Sequence, residues 1–513
     1  MPVESFPETS ALDSYLNHTS IKAAQAGSVS SSLKSCLSKT GVTLSYPSYS
    51  SYSDLDVQQN SALPARKPGV FAVPNDEQGV AAVVKCVAAE GGSQKISPRS
   101  GGHMYTGWEL GSQDGWVVVD LKNLNAINID SNAKTARVGA GQRLGPTAQK
   151  LADQGFALPH GTCPTVGVGG HGLGGGFGYT TFGWGFLMDH IASMRLAKPD
   201  GSLVTVSSSQ NSDLFYALRG AGANNYGIVT EFTYNLETAP TQTVNFYHEY
   251  KTNADCVQAF LTLQDITATK GSGGFPPEFG GEMLMTGESS GQGSACTFSG
   301  QYVGSKDSYK QVMKKFNDQV SAKGVSSSSV RADEFSSWSA ALTAIMGKLD
   351  TTKVTPEKYY AKSLVTPSDV RYDANSAGAL MQALNDAGSH GPSISFLFLG
   401  PNSKSASVPK DSSAFVSRDA LFISQYYAYD FPVNNDGGKQ DAAYAAFDKL
   451  VETAKAVKPN ADWHGYINYI DAKQLSSNWG QFYYGDAVSK LKSIKDKYDP
   501  KHIFDYPMSI ARA

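Results

Sequence analysis

The chain has 513 residues, 41% of them hydrophobic and 17% charged, with a formal net charge of −3. That length exceeds one ordinary core, so two or three domains are expected. The near-neutral charge gives no electrostatic basis for nucleic acid or an anionic membrane as partner. No apolar run approaches the roughly 18 residues needed to span a bilayer, and no metal is expected.

The N-terminus, Met1-Pro2-Val3-Glu4-Ser5, lacks the apolar core of a secretory signal. Three features nevertheless favour an extracellular protein whose leader is not part of this chain. The first 60 residues are rich in Ser and Thr, Asn17-His18-Thr19 is a glycosylation sequon, and five cysteines are spread widely enough to pair. Whether Cys256 pairs with Cys296 stays open.

From about Gly69 to Thr238 short strands and helices alternate, punctuated by glycine. Pro98-Arg99-Ser100-Gly101-Gly102-His103 is a small-residue loop ending in an imidazole. Gly115–Asp120 reads as a buried strand and Ala136–Gly139 as another. Leu144 to Gly155 forms a short amphipathic helix with Leu144, Ala148 and Leu151 on one face. Next comes His160-Gly161-Thr162-Cys163-Pro164-Thr165-Val166-Gly167, a thiol opening a long glycine tract. A helix over Asp213–Arg219 ends at Gly220, leading into Gly220–Val229. After Pro240 the texture changes. Alternating strands are predicted at Gln242–Tyr250, Ala295–Val303, Ser393–Leu399 and Leu421–Tyr427, with amphipathic helices such as Ser308–Gln319 and Ala442–Val457 between them. This is the pattern of an α+β sheet covered on one side. A last amphipathic helix, Ser489–Tyr498, is closed by Pro500 and leads into Ile503-Phe504-Asp505.

Gly167-Val168-Gly169-Gly170-His171-Gly172 satisfies a dinucleotide fingerprint literally, and Asp189 follows about 20 residues on. The context fails, because Gly174, Gly175, Gly176, Gly178, Gly183 and Gly185 come next. Glycine costs roughly 1 kcal/mol per site in a helix, so no regular helix is expected there. The tract reads instead as extended backbone wrapped against a flat ligand. Glycines let backbone N–H groups approach phosphate and ring oxygens without a Cβ between.

An imidazole and a thiol, each set in such a loop, are the nucleophiles that would bond a flavin ring. Together the two segments resemble the doubly tethered flavin oxidases of the berberine-bridge-enzyme-like group, within the vanillyl-alcohol-oxidase superfamily, and especially its fungal glucooligosaccharide and chitooligosaccharide oxidases. The resemblance implies covalently bound FAD and a two-domain α+β fold of the VAO/PCMH type. The FAD-binding domain would be discontinuous, 1–238 and 456–513, around a substrate domain, 239–455, whose antiparallel sheet is covered by helices. By the same resemblance Pro98, Arg99, Ser100, Gly101 and Gly102 form the pyrophosphate loop. His103 would bond the flavin 8α carbon and Cys163 its C6. Thr162, Val166, Gly167, Gly169, Gly170, Gly227, Ile228, Val229 and Asn468 would line the cofactor, and Cys36 would pair with Cys86. A small residue at the Val166 position goes with oxidase behaviour, hence O2 as acceptor, in a monomer.

Oxidising an alcohol by hydride transfer needs a base for the hydroxyl proton. Asn468-Tyr469-Ile470-Asp471 matches the family segment whose tyrosine is that base, and a free phenol titrates near pH 10, so Tyr469 must be tuned. Tyr105, Glu357 and Gln425 match substrate-groove positions. Trp108, Trp184 and Trp338 could stack on sugar faces, with core packing as the default. The groove also departs from the family. Where the glucooligosaccharide oxidases carry Trp-x-Gln-x-Asp, this chain reads Ser393-Ile394-Ser395-Phe396-Leu397, and Phe177 stands in place of a tyrosine. The implied activity is oxidation of a sugar or oligosaccharide C1 hydroxyl. The alternative is oxidation or oxidative cyclisation of a more apolar secondary metabolite. A flavin-free binding protein on the same fold is disfavoured by the joint presence of His103, Cys163 and Tyr469.

Overall fold

Val70–Val73 and Val117–Asp120 are buried at every position, which a strand sustains only when both faces of its sheet are covered. In the computed structural model, which describes residues 28–388, 391–433, 436–471, 473–474 and 478–513, these two strands pair in parallel. Ile96–Arg99 adds in parallel on the far side, and Thr43–Ser45 closes the other edge antiparallel. The crossover helix Glu77–Ala89 starts at Asp76, whose side chain accepts from Gly79 N, and buries Val80, Val83, Val84 and Val87. The disulfide Cys36–Cys86 fastens the preceding helix Ser31–Leu37 to it. The sequon at Asn17 lies outside the described residues.

A second, five-stranded antiparallel sheet runs in the order Ile127–Asp130, Thr135–Gly139, Ile228–Asn235, Ile191–Ala197, Leu203–Ser207. The largest sheet has seven antiparallel strands, ordered Ser329–Phe335, Thr243–Tyr250, Cys296–Val303, Phe279–Met285, Ser393–Phe398, Phe422–Tyr429, Tyr359–Thr366. Its strands alternate. Ile394, Phe396 and Phe398 are buried in the aromatic core under the helices Asn253–Ala268, Lys306–Ala322, Ala374–Ala387 and Lys439–Lys455. Ser393, Ser395 and Leu397 face a cavity on the other side. Cys256 and Cys296 are bridged in that core. The fold is the two-domain α+β architecture of VAO/PCMH-type flavoproteins. No helix among the described residues is long and apolar enough to cross a membrane.

Several boundaries differ from the sequence reading. The helix from Leu144 ends at Ala152, and the strand read to Tyr427 continues to Tyr429. The helix Ser212–Ala221 is broken by non-helical backbone at Arg219 and Gly220. The glycine tract is not wholly extended, for Val168–Leu173 forms one short helix. The propensity cost of its glycines is offset by close packing. A Cβ on Gly169 would press on Ala140 O, an approach that only glycine permits, and one on Gly172 would crowd Tyr234 OH.

The C-terminal segment packs back onto the first core, burying Ile503, Phe504, Tyr506, Met508 and Ile510. Lys495 and Asp499 form a fully buried ion pair at 2.7 Å. Lys495 Nζ also donates to Asn225 O at 2.6 Å and Phe504 O at 2.7 Å, while Asp499 accepts from the backbone N–H groups of Ile503 and Phe504. Burial lowers the lysine's pKa, yet every polar atom of the pair is engaged. Lys495→Met would leave an uncompensated buried carboxylate and should cost about 3–5 kcal/mol. Adding Asp499→Asn should recover part of that loss, as read from urea unfolding.

Candidate functional site

A cavity of about 770 Å³ runs between the glycine loops of the first core and the seven-stranded sheet. The loop Ser100–His103 leaves the C-terminal end of the parallel strand Ile96–Arg99 and meets the Cys163–Gly170 segment backbone to backbone. A Cβ on Gly101 or on Gly167 would collide with the other's peptide nitrogen. Arg143 bridges the two loops, its Nη1 donating to Gly101 O at 2.8 Å and also to Thr165 O. Ser100 Oγ donates to Ala140 O at 2.5 Å and accepts from Gly169 N at 3.3 Å.

Thr165 joins the two nucleophiles. Its hydroxyl is hydrogen-bonded to His103 Nε2 at 2.9 Å and lies 3.4 Å from Cys163 Sγ. Burial, with Arg143 second, pushes the His103 imidazole down to about 4, so it is the free base through the neutral range. Cys163 is unbridged and exposed to the cavity. Two residues beyond His103, the ring of Tyr105 stacks on that of Tyr469 at 5.4 Å and 2° between planes. Gln425 Nε2 donates to Tyr105 OH at 2.5 Å. Phe177 and Tyr466 close on Tyr469 edge-on at 5.5 and 5.1 Å. Burial first, then Tyr105, Tyr466 and Glu282, hold the Tyr469 phenol well above its ordinary range. Asn468 Nδ2 donates to His171 O and to Tyr466 OH, both at 3.0 Å, tying this segment to the glycine tract.

The cavity is lined by Pro98, Ser100, Gly101, Gly102, His103, Tyr105, Thr162, Cys163, Val166, Gly167, Gly169, Gly170, Gly227, Val229, Glu357, Gln425, Asn468 and Tyr469. Two residues expected there sit behind the wall. Arg99 alternates away from Pro98 and Ser100 and is spent on Asp120, at 2.5 Å, and on Leu55 O. Ile228, between Gly227 and Val229, is buried in the core. Trp108 and Trp338 are buried, and Trp184 packs against Trp338 at 5.7 Å, so none of the three faces the groove.

The sequence reading missed Arg143, Thr165, Glu109, Asn224 and Glu282. Thr165 lay within the glycine segment itself and Asn224 within the Gly220–Val229 stretch; the others belong to no motif. Glu282 accepts from Tyr179 OH at 2.8 Å and Ser395 Oγ at 2.5 Å, and is the register partner of Leu397, so a carboxylate returns to the groove one strand away. Glu109 and Asn224 line the cavity with buried acceptors, both carboxylate oxygens of Glu109 and Oδ1 of Asn224, that have no protein partner. Burial pushes Glu109 up to about 7. A ligand with hydroxyl and amine donors beside a flat ring fits these orphaned acceptors and the Cβ-free cradle, and FAD has all of these.

Residues 68–207 match the family model described as FAD binding domain, and residues 465–511 the one described as berberine and berberine like. Fold and site define an FAD-linked oxidoreductase acting on CH–OH groups. The xylooligosaccharide oxidase of Thermothelomyces thermophilus is 32% identical over 88% of this chain and 89% of its own. FAD-linked oxidoreductase sorD of Penicillium rubens is 30% identical over 91% of this chain and 95% of its own. The solved glucooligosaccharide oxidase of Acremonium strictum, described with a 6-S-cysteinyl, 8α-N1-histidyl FAD, has a TM-score of 0.83 at 28% identity, covering 93% of this chain and 99% of that one. The chain belongs to the berberine-bridge-enzyme-like family of glucooligosaccharide oxidases and their relatives.

Thr165→Val keeps the volume and deletes the hydroxyl shared by His103 and Cys163. It should slow acid-stable flavin attachment several-fold while thermal unfolding shifts little, since the loss of one hydrogen bond costs about 1 kcal/mol. Because His103 stays unprotonated above about pH 4, attachment in the parent protein should be level from about pH 5 to 8 as far as His103 is concerned. It should fail as pH falls toward 4, where the imidazole takes up a proton and ceases to be a nucleophile.

Proposed function

We propose that this protein is a secreted, monomeric oxidase of the C1 hydroxyl of a sugar or oligosaccharide, with FAD bonded to both His103 and Cys163. The observation that carries the reading is the convergence of three groups on one cavity. His103 and Cys163 meet at the Thr165 hydroxyl, and Tyr105, two residues from His103, stacks on Tyr469. Relatives that oxidise oligosaccharides span nearly the whole chain.

The substrate C1 loses two electrons and two hydrogens, becoming a lactone that water opens to an aldonic acid, and O2 takes them up as H2O2. Bound FAD supplies the two-electron acceptor and the electron-poor ring beside which a phenolate is tolerable. Tyr469 takes the hydroxyl proton. Among the described residues no cation approaches it to lower its pKa, so its deprotonation depends on what fills the cavity. The stack on Tyr105 and the edge contacts of Phe177 and Tyr466 fix its ring against rotation. Two tethers would leave the flavin ring secured without full enclosure, which suits an open groove and a bulky substrate.

The second reading keeps the cofactor and takes a more apolar metabolite. Leu397 and Phe177 on the cavity wall favour it, and sorD is similar along most of its length. Peroxide release on xylose, xylobiose, glucose, cellobiose and chitobiose separates the two, and silence on every sugar excludes the first. Tyr469→Phe should lower kcat by roughly 10²–10⁴ with flavin content unchanged. Peptide mapping should find the flavin on both His103 and Cys163.

A further inference from the structure

Tyr359–Thr366 is the last strand of the seven-stranded sheet, with Phe422–Tyr429 on one side of it. The segment that carries Tyr469 lies along the other side. Val365 N donates to His464 O at 2.7 Å. Tyr466 N donates to Ser363 Oγ at 2.9 Å, and that hydroxyl lies 3.2 Å from Tyr466 O and 3.4 Å from Tyr469 O. Tyr469 ends one short turn, Ile467–Tyr469, closed by its own N–H on Tyr466 O at 2.9 Å.

Side chains alternate across the strand. Ser363 shares a face with Tyr359, whereas Tyr360 and Lys362 point to the helix side, where Tyr360 joins the aromatic core. Both reach Asp471, two residues past Tyr469 and only 3% exposed. Asp471 Oδ1 accepts from Tyr360 OH and, at 2.8 Å, from Lys473 N, and its Oδ2 is 3.3 Å from Lys362 Nζ. The Asp471 N–H donates to Tyr483 OH at 3.0 Å. Lys362 Nζ also lies 2.5 Å from Asp448 Oδ1, on the helix Lys439–Lys455. Burial alone would lower the lysine's pKa, but Asp471 and Asp448 outweigh it and hold the ammonium above its ordinary range. The chain thus wraps round the sheet edge. Ser363 anchors one end of the Tyr469 turn, and Tyr360 with Lys362 anchors the other.

We propose that Asp471, a buried carboxylate held by Tyr360 and Lys362, is a positioning residue for Tyr469. The role presupposes that Tyr469 takes the substrate's hydroxyl proton, as proposed above. The ring contacts from Tyr105, Phe177 and Tyr466 resist rotation of the phenol. How far its oxygen reaches into the cavity follows from where the backbone is held, and Asp471 holds it. A buried carboxylate stripped of its cation is strongly destabilising. Loss of Lys362 therefore drives Asp471 toward water and draws Tyr469 with it, and a misplacement of about 1 Å can cost roughly a hundredfold in rate.

The test uses the flavin-loaded protein without oxygen and whichever of the sugars named above the parent oxidises fastest. It reads the limiting rate of flavin reduction and the half-saturating sugar concentration separately. Lys362→Met should lower the limiting rate about ten- to a hundredfold, and Tyr360→Phe about three- to tenfold. For both, the half-saturating concentration should stay within about twofold, with acid-stable flavin content at the parent level. Each change is then combined with Tyr469→Phe. In that background neither should slow the reaction further, because both act through a phenol that is already gone. Effects that multiply in the double variants would overturn the positioning role and spare Tyr469 as the proton acceptor. So would a parental rate in Tyr360→Phe, which deletes a single oxygen and decides the matter if Lys362→Met does not fold. A parental rate in Tyr469→Phe would overturn the reading of Tyr469, and the positioning role with it. No flavin reduction by any of the sugars would overturn the sugar reading and everything built on it.

Discussion

The site depends on one contact, the meeting of two loop backbones at Gly101 and Gly167 with no side chain between them. Everything near the two nucleophiles is built around it. Arg143 spans the junction by donating to a carbonyl on each loop, and Thr165 is placed where its hydroxyl reaches both an imidazole and a thiol. A methyl group on either glycine would push the loops apart, and His103 and Cys163 would no longer face one ligand. The same closeness buries His103, which keeps it uncharged and nucleophilic.

That junction is held from behind by residues distant in sequence. The strand that delivers Pro98–His103 is extended by Ile96 N donating to Ile503 O, and Lys495 fastens the Asn225 loop to the last helix. The segment that carries Tyr466, Asn468 and Tyr469 reaches the glycine tract through Asn468. The C-terminal return therefore carries Tyr469, the residue proposed to take the proton, and stiffens the cofactor cradle.

The seven-stranded sheet does two jobs through its period of two. One face packs phenylalanines under four helices and the other presents Glu282, Ser395, Gln425 and Tyr427 to the cavity. Side chains on paired strands are close neighbours, so a group lost from one strand can be replaced from the next. Leu397 faces Glu282 and Ser393 faces Tyr427. The groove is chemically richer than its own strand, read alone, indicates.

The linear sequence sufficed for whatever is encoded by residues near one another. The two glycine loops with their nucleophiles, the tyrosine segment near the end, the change of texture after Pro240 and the alternating strands could all be read from neighbours. It misjudged the glycine tract, because local propensity favours no helix there and only packing against Ala140 and Tyr234 stabilises one. It also could not tell which side chains on a strand face the cavity, and those of Arg99 and Ile228 turn away from it. Arg143, Glu109 and Glu282 belong to no motif and were assigned to the site by folding alone. The position of a carboxylate or a phenol across from a serine is fixed by strand register, and register is set by long-range pairing that no stretch of neighbouring residues contains.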